Sequence, residues 1–130
     1  AEPHGGARQM IDRLRARAFR LRDASHLAHW AAKGTGSYSR HMALGDLYES
    51  IIESLDEIVE VYQGTHGLIT VNYESAKIEP DKILDAILGE AEWVAANKAA
   101  IANGSPSVAN LLDEYHGTLA RTAYKLKNLQ

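Results

Sequence analysis

The chain has 130 residues, the length of one ordinary folding domain, and its Cys count of 0 excludes disulfide and thiolate chemistry. Hydrophobic residues make up 45% and charged residues 24%, which excludes general disorder. Lys+Arg 14 against Asp+Glu 17 gives a formal net charge of -3, which argues against a chain built mainly to coat nucleic acid.

The sequence begins Ala1-Glu2-Pro3-His4 without an initiator Met, which leaves room for a cleaved leader, and nothing else in it looks like a targeting segment. No uncharged stretch is both long and apolar enough to cross a bilayer. Apolar spacing then predicts four amphipathic helices. The first covers 6–33, with Met10, Leu14, Ala18, Leu21 and Ala28 on one face, and Gly34-Thr35-Gly36 stops it. Ser37 is the expected N-cap of the second helix. There Leu44, Tyr48, Ile51, Leu55, Ile58 and Tyr62 form a stripe at alternating spacings of four and three, and Gly64 is the expected end. A connection over 65–79 follows, in which Ile69, Val71 and Tyr73 alternate as a short extended stretch would. Pro80 suits the first position of helix three, whose inward set is Leu84, Ile87, Leu88, Ala91 and Val94. Asn103-Gly104-Ser105-Pro106 breaks the chain again, with Ser105 capping and Pro106 opening helix four. Val108, Leu112, Tyr115, Leu119, Ala123 and Leu126 face inward there.

A helix of about 25 residues spans roughly 35–40 Å, whereas a compact chain of this size has a radius of gyration near ~14 Å. Such helices must lie side by side. One long connection among three is the mark of the ferritin-like arrangement of four-helix bundles. The expected fold is all-α, a single ferritin-like four-helix bundle domain over 1–130, with the longer crossover between helices two and three.

Charge is distributed unevenly along this frame. From 41 to 76 there is no Lys or Arg, while Asp46, Glu49, Glu53, Asp56 and Glu60 form a second stripe on helix two, with Glu57 and Glu74 beside it. A solvated face is one reading. Such faces usually mix signs, because like charges at helical spacing destabilise by a few tenths of a kcal/mol per pair. Divalent cations held by oxygen ligands are the other reading.

Of the six histidines, His4 falls in the terminus, His66 in the second connection and His116 beside Gly117, all read as surface or packing residues. His26, His29 and His41 flank one turn, so antiparallel helices bring His29 and His41 together. Asp56 is about 22 Å further along the helix from His41, far beyond a metal–ligand bond of about 2 Å. A metal shared by the imidazoles and the acids must therefore lie across a two-fold axis, between antiparallel second helices of two chains, with two sites per dimer.

His29-Trp30-Ala31-Ala32-Lys33-Gly34, followed by His41, Leu44, Leu47-Tyr48 and Asp56-Glu57-Ile58-Val59-Glu60, resembles the core signature of the Dps-type miniferritins. That pattern is H-W-x-x-K-G, a second His twelve residues after the first, an Asp fifteen further on and a Glu four after that. The resemblance also extends over Val108-Ala109-Asn110-Leu111-Leu112 through Leu126. It implies a cytoplasmic homo-oligomer, a hollow dodecamer with two-fold interfaces, that binds iron between subunits. Such proteins oxidise Fe(II) with peroxide or oxygen and store ferric mineral. By that resemblance His29 and His41 come from one subunit and anchor one iron. Asp56 and Glu60 come from its mate, Asp56 fixing the first iron and Glu60 bridging towards a second. Trp30 becomes an electron donor beside the iron, its other reading being core packing, and Glu49, Glu53 and Glu57 become nucleation residues for mineral.

Three features depart from that family's pattern. An Asp often stands four residues after the second His; here the position is Gly45, with Asp46 one step on and about 100° further around the helix. The connection between helices two and three is short. The N-terminus, Ala1-Glu2-Pro3-His4-Gly5-Gly6, carries no cation. Three alternatives stand beside the ferroxidase. One is a DNA-binding or structural shell with weak or no iron chemistry, using Arg8, Arg13, Arg15, Arg17, Arg20 and Arg22 with Arg121, Lys125 and Lys127. Another is a small bundle holding zinc through His26, His29 and His41, or His116. The last is a scaffold whose iron site has decayed.

Overall fold

A computed structural model of the chain describes residues 3–69 and 78–129. The described residues form four α-helices: α1 (Pro3–Ala31), α2 (Ser37–His66), α3 (Ile83–Ala102) and α4 (Pro106–Asn128). A 3-10 turn, Pro80–Lys82, leads into α3. The expected four-helix architecture is therefore the one found. None of these helices is long and apolar enough to cross a membrane. Val71 and Tyr73 of the expected extended stretch lie outside the described residues, as does Glu74.

Packing follows the apolar stripes. α1 lies against α2 and α3, and α4 lies against the same two, so α2 and α3 sit diagonally across the bundle. Their direction follows from their ends. His66 at the end of α2 reaches the backbone oxygen of Asn103 at the end of α3, with Nε2 and oxygen 3.1 Å apart. Ser39 at the start of α2 donates its hydroxyl to the backbone oxygen of Leu129, just past the end of α4. α2 and α3 are thus parallel, and the stretch 67–79 joins opposite ends of the bundle. At about 3.3 Å per residue it can reach roughly 43 Å, enough to pass a 20-residue helix of about 30 Å. That up, down, down, up order with one long crossover is the ferritin-like topology.

The core is apolar at its centre: Leu14, Leu44, Leu47, Ile51, Ile83, Ile87, Ile101, Val108, Leu112 and Leu119 are fully buried. Every inward residue expected on α4 is buried. On α3 the expectation fails in part. Leu88 is exposed at 36%, and Glu90 takes a place in the core at 3%. A carboxylate is tolerated there because it has partners, as described below.

Helix ends correct three sequence-based assignments. Ser37 is the first residue of α2 rather than its cap; Gly36, at φ 78, precedes it with no side-chain cap. Gly64 continues the helix, and Gly67 ends it at φ 91 and ψ 172, a backbone conformation essentially confined to glycine. His66 is consequently a helical residue, its ring stacked on Tyr62 at 4.6 Å, and not part of a loop. Ser105 does cap α4, accepting from the Val108 amide at 3.2 Å, with Pro106 at the first turn.

Candidate metal centre

α1 runs into the 32–36 turn through His26, His29 and Trp30, and α2 leaves it through His41, Gly45 and Tyr48, which share one helical face by their spacing of four and three. The turn brings His29 and His41 into direct contact. Nδ1 of His29 lies 2.5 Å from the backbone oxygen of His41, and Nδ1 of His41 lies 2.9 Å from the backbone oxygen of His29. A carbonyl oxygen only accepts, so Nδ1 carries the hydrogen in both rings. Each imidazole is thereby held in one tautomer, with its lone pair on Nε2. That is the arrangement of a metal-ligating histidine whose other nitrogen is tied to a carbonyl. The rings stack with centroids 3.6 Å apart and planes 19° from parallel.

Other rings extend this pair. His26 stacks flat on Tyr48, with centroids 3.9 Å apart and planes at 10°, and Trp30 leans on His26 at 4.2 Å. Tyr48 meets the His29 ring edge-on at 5.4 Å. Trp30 is 67% exposed, so core packing is not its role. His26 is engaged in ring packing, with its centroid 6.3 Å from that of His29. Among the described residues no three His, Asp or Glu side chains of one chain converge to hold a metal, so His26, His29 and His41 form no zinc triad.

Asp56 and Glu60 stand on the exposed face of α2. The helix is continuous from Ser37 to His66, which keeps them about 22 Å and 28 Å along its axis from His41. The acids and the imidazoles do not meet within one chain. Nor does Asp46 substitute for a carboxylate at position 45, since it turns towards Lys125 of α4, 4.0 Å away. Glu53 and Glu57 line a groove of about 360 Å³ between α2 and α4, together with Asp113, Glu114 and Arg121. Glu49 is exposed nearby on the same helix. The donor set suits a borderline divalent cation: imidazole nitrogens at one end of α2, carboxylates at the other.

A second charged cluster joins residues far apart in the sequence. Arg17 Nε donates to Glu90 Oε1 at 2.7 Å, and the Tyr115 hydroxyl lies 3.5 Å from Glu90 Oε2. Burial pushes the Glu90 carboxyl above its ordinary range, with Arg17 and then Arg20 pulling the other way. Burial, reinforced by the Glu90 charge, also pushes the Tyr115 phenol well up. Arg17 further stacks over Trp93 at 4.5 Å, and Arg15 is 4% exposed, bonded to Asp12 at 2.8 Å. Arg15 and Arg17 are therefore tied into the bundle rather than spread over a solvated outer face. The sequence signal for this cluster was a lone Glu on the inward register of α3, three residues after Ile87 and four before Val94.

Residues 29–126 match the model of a family described as a family of unknown function (DUF5856), a span that holds His29, Trp30, His41, Asp56 and Glu60. Over 66 residues the chain is 32% identical to the DNA protection during starvation protein of Helicobacter pylori. That match covers 49% of this chain and 46% of the other protein, so the chain spans about half the length of the curated relative it matches. No solved structure matches the chain.

Proposed function

We propose that this chain, which belongs to the family of unknown function (DUF5856), oxidises Fe(II) at sites shared between two copies and keeps the ferric product inside a hollow homo-oligomer. The observation that carries this reading is the exchange of Nδ1–carbonyl hydrogen bonds between His29 and His41, which leaves both Nε2 lone pairs available to a cation. The partial identity to a DNA protection during starvation protein supports a Dps-like relationship.

Each half-site lacks carboxylates of its own. In an antiparallel pairing of two α2 helices, Asp56 and Glu60 of the second copy close the gap facing His29 and His41 of the first, and the symmetry repeats this once per dimer. Fe(II) is the substrate. One hydrogen peroxide accepts one electron from each of two Fe(II) ions and two protons, giving two Fe(III) and two waters; oxygen is the alternative acceptor. The imidazoles hold the ion before and after electron loss, Glu60 and Asp56 neutralise the added charge, and where a single Fe(II) meets the peroxide Trp30 supplies the second electron in place of the second Fe(II). Glu49, Glu53 and Glu57 on the α2/α4 face then collect ferric ions for mineral growth.

The test is to load the metal-free protein with Fe(II), add peroxide, and follow iron through size-exclusion chromatography. Iron travelling with a particle many times the 14.3 kDa chain is expected. An iron-free peak after oxidation rejects the reading. A second reading, protection of DNA, is favoured by that relative's name and by the exposed Arg13 with the half-buried Arg20 and Arg22 of α1. Its mark is a salt-sensitive shift of duplex DNA, since phosphate contacts release counterions.

A further inference from the structure

At Gly45 a side chain would crowd the His29 ring, which would have to give way by a few tenths of an ångström. A Cβ built there would lie 3.0 Å from His29 Cε1 and 3.2 Å from His29 Nδ1. Gly64, the other glycine inside α2, has nothing within 4 Å of the same point. The His29 ring rests on the Gly45 backbone, with the His41 ring stacked on it at 3.6 Å and the Tyr48 ring against it at 5.4 Å. It is held from several sides, and the Nδ1 bond to the His41 oxygen fixes its rotation.

We infer that Gly45 is a positioning residue: its missing side chain is the seat that holds His29 against His41 in the Nδ1-protonated form, so that each chain offers a half-site of two imidazoles and no carboxylate. The cation class follows from that donor set. Two neutral imidazoles select borderline divalent ions such as Co(II), Ni(II), Zn(II) and Fe(II), and give oxygen-seeking Mg(II) and Ca(II) no ligand. An Asp at position 45 would add no ligand here. It would drive its Cβ into the His29 ring, tilt the ring off the His41 carbonyl and release the tautomer. The metal part of this inference rests on the proposed function, whereas the seat stands on geometry alone.

The experiment compares the metal-free wild type with Gly45→Ala, Gly45→Asp and the control Gly64→Ala. Ring-nitrogen NMR reads the tautomers of His29 and His41, and visible absorption follows titration with Co(II). Both rings are expected as Nδ1–H in the wild type and in Gly64→Ala. In both Gly45 variants His29 is expected to lose that signature while helical circular dichroism is kept, and Co(II) affinity falls by about tenfold or more, the usual effect of losing an outer partner. Retention of both tautomers and of Co(II) affinity in Gly45→Ala would overturn the inference, as would tighter Co(II) binding by Gly45→Asp. Wild type that shows the tautomers and their loss in Gly45→Ala, yet takes up no Co(II), would defeat the metal reading and leave the seat standing.

Discussion

Replacing Arg17 by Met separates charge from packing in the buried cluster, because a Met stem preserves much of the contact over Trp93 while removing the guanidinium. Glu90, at 3% exposure, is then left with an uncompensated carboxylate. It has two options in the native state, to stay ionised and desolvated or to take a proton. The second sets a ceiling. Moving a carboxyl of ordinary value 4.5 to its neutral form at pH 7 spans two and a half pH units, about 3.4 kcal/mol at roughly 1.36 kcal/mol each. Wild type already bears part of that cost, since burial raises the Glu90 carboxyl even with Arg17 present. The expected loss is about 2–3 kcal/mol at pH 7, or roughly 10 °C in melting temperature for a domain of this size. Its sign with pH follows from linkage. A raised folded value means that the contribution of Glu90 is complete below pH 4.5 and is lost as pH rises through the folded value. Arg17→Met should therefore cost much less at pH 4.5 than at pH 7. Adding Glu90→Gln should recover about 2 kcal/mol at pH 7, a coupling measurable as a double-mutant cycle. Urea unfolding followed by helical circular dichroism, at one protein concentration because assembly would shift the midpoint, provides the numbers. Equal losses at both pH values, or additive single variants, would refute the reasoning.

Further outcomes follow from the same geometry. His29→Ala and Glu60→Ala should each slow Fe(II) oxidation strongly in stopped-flow absorbance, with the helical spectrum unchanged; unaltered rates in both would remove the proposed centre. Ser105→Ala removes the acceptor of the Val108 amide and should lower unfolding free energy by about 1 kcal/mol, whereas Ser37→Ala, which loses no cap, should change it by less than about 0.5 kcal/mol. Gly67→Ala forces a Cβ onto a residue at φ 91 and should destabilise by roughly 1 kcal/mol or more, while Gly64→Ala should be neutral or stabilising in the same denaturation assay.

What the sequence made legible was what repeats along a helix. α4 is legible residue by residue because its apolar positions keep one register and its cap and proline are local signals. The proximity of His29 and His41 was legible too, since a short turn between antiparallel helices leaves little freedom. Other features depend on groups distant in sequence. Apolar spacing favours Leu88 over Glu90, because an apolar pattern cannot see an arginine 73 positions away that makes a buried carboxylate acceptable. Gly64 and Gly67 are the same residue type, and only the backbone angle at the second makes it an end. The Nδ1–carbonyl exchange required the path of the turn, and without it Gly45 read as a missing ligand rather than as the floor under a ring.

The proposed pairing of imidazoles from one copy with acids from another is tested most directly by complementation. One protein carries His29→Ala and His41→Ala, the other Asp56→Ala and Glu60→Ala, and the two are co-expressed in equal amounts or unfolded and refolded together. Each alone should be inactive towards Fe(II). After mixing, random pairing rebuilds one site in four, so about a quarter of the wild-type oxidation rate is expected. Activity that stays absent in the mixture, or that is already present in either variant alone, would contradict the shared centre.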